Sequence, residues 1–161
     1  MPQAEVHSTG GRRLQASSGL VPDVVLGQDT LTTLEATFAR SLGEQVPVFR
    51  DVLTAYALEL REGKVIAAEQ FEVTPGMRAE VQRRLRDRGV AVEDSVFGGA
   101  ARLVAEQLGF EIARYTFGPA AERRRRAAGD AQIQRAIELA RGTTSPQALL
   151  GLADPPAAQL H

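Results

Sequence analysis

The chain has no cysteine, a single lysine (Lys64) and only two histidines, and each shortage closes off a class of chemistry. Without thiols there are no disulfides and no thiolate nucleophile, although nothing follows about the cellular compartment. His7 and His161 stand at opposite ends of the sequence, and neither H-x-x-x-H nor C-x-x-C occurs. A zinc site needs three or four ligands at organised spacing, so no metal site is expected. Gly10-Gly11 and Gly98-Gly99 are isolated doublets, with neither G-x-G-x-x-G nor a Walker lysine, and no nucleotide cofactor is expected. No uncharged apolar run approaches the ~18 residues that a membrane-spanning helix requires. No signal-peptide pattern opens the chain, which carries no weight if an upstream portion is missing. The net charge of −1 provides no global field to recruit nucleic acid or an anionic membrane.

What remains describes an ordinary folded chain: 161 residues, 43% hydrophobic and 24% charged. That length is one domain by prior and can bury about two-thirds of its unfolded surface. Its most informative stretch comes first. Two short strand-like runs, Arg12 to Gln15 and Val24 to Leu26, flank small and turn-forming residues. Val21-Pro22-Asp23 supplies an extended residue, a fixed φ and a turn-capable carboxylate. This pattern predicts a β-hairpin, and an isolated two-stranded hairpin is marginal in water. It is expected to be the last hairpin of a larger sheet.

Gly11, Arg12, Leu14, Gln15, Gly19, Leu20, Pro22, Asp23 and Val24 fall where the carboxyl-terminal processing (tail-specific) serine peptidases carry T-P-x-G-R-x-I-Q…G-I-x-P-D-h-h-h, with h apolar. The segment therefore resembles the end of that family's protease domain, over about residues 7–26. The departure is at Thr9-Gly10, where the threonine stands one place late and no proline occurs; Gly10 preserves the turn. More loosely, Phe110–Gly118 and Asp130–Ile137 are similar to the helical tail of some members. The resemblance implies a peptidase that cuts near protein C-termini, often guided by a PDZ domain. Its chemistry implies a serine nucleophile and a lysine general base, which burial or neighbouring charge must bring toward neutrality. In the family both precede the G-I-x-P-D element, so they are expected upstream of Met1. The resemblance also implies the cell envelope or periplasm for the parent protein.

Ser41 and Lys64 offer the right residue types in the wrong setting. Ser41 lies in Ala39-Arg40-Ser41-Leu42-Gly43, a charged helix end with no glycine-rich turn to supply oxyanion donors. Lys64 follows Arg61-Glu62-Gly63, a helix stop, where a cation faces the negative end of the dipole. Ser17-Ser18-Gly19 lacks the first glycine of a nucleophile elbow. No catalytic residue is expected in this chain. The run Arg123 to Arg126 suggests either phosphate binding or a solvated helix face; with negative net charge and no stacking aromatic beside it, the second is expected.

After the hairpin the hydrophobic period changes from 2 to 3.6. Thr32-Thr33-Leu34-Glu35 is a capping box, predicting a helix to Gly43 with Leu31, Leu34, Phe38 and Leu42 on one face. A second helix is predicted from Pro47 to Gly63, and a third from Thr74-Pro75 to before Gly89. Val65 to Val73 reads equally as helix or extended linker, and Val90-Ala91-Val92 as an extended connector. A long helix follows from about Asp94 to Phe117, with Gly98-Gly99 marking either close helix approach or a break. Gly118-Pro119, Asp130 and Ser145-Pro146 start the remaining helices.

The expected architecture is mainly α: an incomplete terminal hairpin of a protease domain (1–28), a helical bundle-like C-terminal domain (29–153) and a fraying tail (154–161). The helices are expected to pack against the parent's protease core or form an oligomer interface, through Phe49/Leu53/Tyr56/Leu60 and Leu103/Leu108/Ile112/Tyr115. The expected partners are the rest of the peptidase, with its protease core and PDZ domain, and the parent's protein or peptide substrates. Nucleic acid is not among them. The alternative is a stand-alone, non-enzymatic helical module that binds another protein.

Overall fold

A computed structural model describes residues 5–7, 13–15, 30–145 and 148. The chain is mainly helical. It divides into two units, Gln28–Gln134 and the set comprising Met1–Gly27 with Arg135–His161. Of the N-terminal residues, β1 (Glu5–His7) and β2 (Arg13–Gln15) pair antiparallel, with Val6 opposite Leu14. The predicted partner strand at Val24–Leu26 lies outside the described residues. So do the helix predicted from Ser145-Pro146, apart from its edge, and the tail.

The Gln28–Gln134 unit begins with α1 (Thr33–Leu42). Thr32 caps it as the sequence indicates: its hydroxyl accepts from Glu35 N–H, and Glu35 accepts from Thr32 N–H. A single 3₁₀ turn, Gly43–Gln45, leads into α2 (Val46–Glu62), with Pro47 in its first turn. α2 presents Phe49, Val52, Leu53, Tyr56, Ala57 and Leu60 on one buried stripe. Residues 65–73 have no regular structure and bend at 68–70, so α2 does not continue through them. α3 (Pro75–Asp87) is capped by the Thr74 hydroxyl and buries Val81 and Leu85.

α2 and α3 end alike. Val65 N–H donates to Leu60 C=O and Val90 N–H to Leu85 C=O, each spanning a residue with positive φ. In α3 that residue is Gly89; in α2 it is Lys64 (φ 51°), although Gly63 immediately precedes it. A lysine therefore adopts the left-handed conformation that glycine adopts with least strain.

Val90 and Val92 are buried while Ala91 is exposed, the alternation of an extended segment. The long helix expected over residues 94–117 is two helices. α4 (Asp94–Gly99) and α5 (Ala101–Phe117) meet at Ala100, whose φ of −98° and ψ of 16° break the helical run. The glycine doublet serves both purposes expected of it, since a Cβ on Gly99 would stand 3.0 Å from Leu34 Cβ. Gly118 (φ 92°) turns the chain into α6 (Pro119–Gly129), and the Asp130 carboxylate caps α7 (Ala131–Arg141).

α5 is the centre of the unit and packs against α2, α3, α4 and α6, while α1 packs on α4 and α2. Val104, Leu108 and Ile112 are fully buried along α5. Phe38 meets Phe49 and Phe97 edge-on, joining α1, α2 and α4. Two expected core residues are placed differently. Leu31 and Leu34 are 47% and 58% exposed, and Glu35 is buried in their stead at 1%. Phe38 and Leu42 face the core on α1, and the buried Glu35 beside them is paired with Arg102 on α5, which donates to Glu35 Oε2 at 2.8 Å.

Candidate functional site

Ser41 and Lys64 are held apart. Ser41 lies in the last turn of α1 and donates its hydroxyl proton to Phe38 C=O at 2.8 Å, while Lys64 follows Gly63, the C-cap at the far end of α2. A 17-residue helix is about 25 Å long, so no proton passes directly between them. Both side chains are exposed, in settings that supply no oxyanion donors. Among the described residues there is no cluster of three or more His, Asp or Glu side chains able to hold a metal. His7 falls in β1 and His161 outside the described residues.

The stripes expected to meet a partner are turned inward. Phe49, Leu53, Tyr56 and Leu60 of α2 close on Leu108 and Ile112 of α5, and Leu103 and Tyr115 pack partly buried against the same cluster. This corrects the expectation that these residues form an external face: each stripe's partner is the other. The large apolar residues left exposed among those described are Leu31, Leu34, Val46, Val65, Ile133 and Ile137.

A groove of about 350 Å³ runs along the α2–α5 junction, lined by Val46, Pro47, Arg50, Asp51, Thr54, Glu111, Arg114 and Tyr115. Thr54 Oγ1 donates to Glu111 Oε2 at 3.2 Å, and the Arg114 guanidinium lies 5.7 Å from the Tyr115 ring centroid. The lining mixes two guanidinium groups with two carboxylates and holds no lysine, cysteine or histidine. The groove brings no nucleophile together with a base.

The arginine run is the solvated helix face expected at Arg123, Arg124 and Arg126, with only Arg125 half-buried, and three of the four also make contacts within the fold. Arg124 makes a two-point contact with Glu69, at 2.7 and 2.8 Å. Arg125 lies 4.2 Å from the Phe71 ring centroid, and burial pulls its pKa down. Arg126 pairs with Glu122 and covers Phe110 at 4.0 Å. Arg123 is exposed. The hydrogen bonds from Arg124 hold the Glu69 carboxyl below its usual range. Sequence reasoning missed these partners because Glu69 and Phe71 precede the run by more than fifty residues.

The most perturbed carboxyls also serve the fold. Hydrogen bonds from Arg102 and the Thr32 N–H bring Glu35 down to about 2 against the opposing effect of burial. Arg83 and Arg84 bring Glu80 to about 2. The Tyr56 hydroxyl is pushed up by burial and by Glu80, with Arg84 over its ring opposing.

The chain matches no family model, no curated protein and no solved structure. Among the described residues, no helix is long and apolar enough to cross a membrane.

Proposed function

We propose that this chain is the C-terminal portion of a tail-specific serine peptidase, in which residues 29–153 form a non-catalytic packing domain. Proteolysis in this reading uses a Ser–Lys dyad upstream of Met1. The observation that carries it is the sequence match from Gly11 to Val24, followed by a helical unit. The separation of Ser41 from Lys64 by the length of α2 supports a structural role for that unit. Leu31, Leu34 and Val46 are the apolar residues it offers to the protease core or to a second copy. The reading also implies a hairpin at residues 1–28 that ends the protease sheet, a PDZ domain in the parent and a place in the cell envelope or periplasm. Nucleic acid has no part in this reading, since the net charge of −1 supplies no field to attract it.

A second reading, a stand-alone protein-binding helical module, is favoured by one observation. The core of Gln28–Gln134 closes on itself and uses both apolar stripes internally. Either reading predicts that the purified chain does not hydrolyse a fluorogenic peptide library above the uncatalysed rate. Hydrolysis that disappears in Ser41→Ala or Lys64→Ala would overturn both.

A further inference from the structure

Residues 65–73 cross from α2 to α3 as a strap. Its residues 66–73 make no backbone–backbone hydrogen bond with any described residue. Ile66, Phe71 and Val73 pack against the core, Arg78 of α3 donates to Val73 C=O at 3.3 Å, and side chains of α6 hold the segment between. Arg124 takes the Glu69 carboxylate with two charge-assisted bonds, and Arg125 covers the Phe71 ring while donating to Phe71 C=O at 3.1 Å. On its other contact the Phe71 ring stacks with Phe117, centroids 6.4 Å apart. Gly109 of α5 makes the room: a Cβ there would stand 2.7 Å from Arg125 Nε. The carboxylate of Glu69 and the ring and carbonyl of Phe71 are each contacted separately, while the intervening Gln70 is exposed. A bound peptide is recognised in the same manner.

We propose that Gly109, Phe117, Arg124 and Arg125 form a peptide site for an acidic-x-aromatic segment, which Glu69-Gln70-Phe71 occupies as a displaceable intramolecular stand-in. The strap lacks the ladder of main-chain bonds that makes local opening costly. Its ion pair is solvent-accessible, with the Arg124 side chain 62% exposed, so salt weakens it. A tethered segment acts at an effective concentration in the millimolar range, so a partner in trans binds visibly only once the strap is disarmed.

The test uses a fluorescein-labelled peptide with the sequence of Ala67–Val73, followed by anisotropy at low salt. Against the full chain carrying Glu69→Ala and Phe71→Ala, it is expected to bind at least tenfold more tightly than against the unaltered chain. A peptide with those same two residues replaced is expected to lose that binding. No binding to a double variant with an unchanged circular dichroism spectrum would overturn the proposal. Should the double variant fail to fold, the unaltered chain decides the matter. Lys64 is the only lysine, so a lysine-specific endoproteinase cuts once, between Lys64 and Val65 at the start of the strap. Saturating peptide is expected to raise that cleavage rate severalfold by displacing the strap, and an unchanged rate would overturn the proposal.

Discussion

Phe38→Ala is expected to lower the unfolding free energy by about 4 kcal/mol, the range for emptying a buried aromatic site. Phe38 is 1% exposed and contacts Phe49 and Phe97 edge-on at 5.5 and 5.8 Å between centroids. Truncation therefore removes the buried area and both aromatic pairs together, and α1 loses its main anchor on α2 and α4. Phe38→Leu, which refills most of the volume, is expected to cost about 1.5 kcal/mol. Urea unfolding followed by circular dichroism measures both. A loss below about 1 kcal/mol for the alanine variant would show that α1 lies outside the cooperative core.

Arg102 and Glu35 are expected to behave unequally although they form one ion pair. The Glu35 side chain is 2% exposed, whereas that of Arg102 is 44% exposed and also reaches Glu106 at 3.0 Å. Arg102→Met leaves a buried carboxylate with only the Thr32 donor, at an expected cost of about 3 kcal/mol. Glu35→Gln leaves a guanidinium that water and Glu106 still satisfy, and its amide oxygen can still accept from Thr32 N–H; about 1 kcal/mol is expected. The pH dependence has a definite sign. The folded Glu35 pKa of about 2 lies below the usual 4.5, so its contribution is fully present above pH 4.5 and is lost as pH falls toward 2. The unaltered chain should therefore lose stability over that window more steeply than Glu35→Gln. A Glu35→Gln variant as destabilised as Arg102→Met at pH 7, or an acid profile parallel to the unaltered one, would contradict this.

These two sites also mark how far the sequence could be read. The Thr32 capping box, the α2 stripe and the Thr74-Pro75 start are local signals, each needing only a few neighbouring residues, and each lies where it was expected. The burial of Glu35 was not legible, because the residue that pairs with it is Arg102, 67 positions away. Periodicity alone assigned Leu34 to the core; the fold instead lays it over Gly99 while leaving it largely exposed. The same distance effect hid the Arg124–Glu69 pair. The four arginines are largely the solvated face that was expected, but the acceptors they reach lie too far away in sequence to be read. The α4–α5 break was legible only as one of two options, since glycine permits both a close approach and a change of helix direction. The inward closure of the two apolar stripes needed the tertiary pairing of α2 with α5, which amphipathic patterns do not specify.

The proposed origin of this chain in a larger peptidase stands or falls on the mass of the native gene product. An antibody raised against residues 30–145 should be used on an immunoblot of the cells that make the protein. The account predicts a species much larger than the 17.3 kDa of this chain, with serine-peptidase activity that co-purifies with it. A sole species at 17.3 kDa, free of such activity, would contradict it and leave an independent helical module in its place.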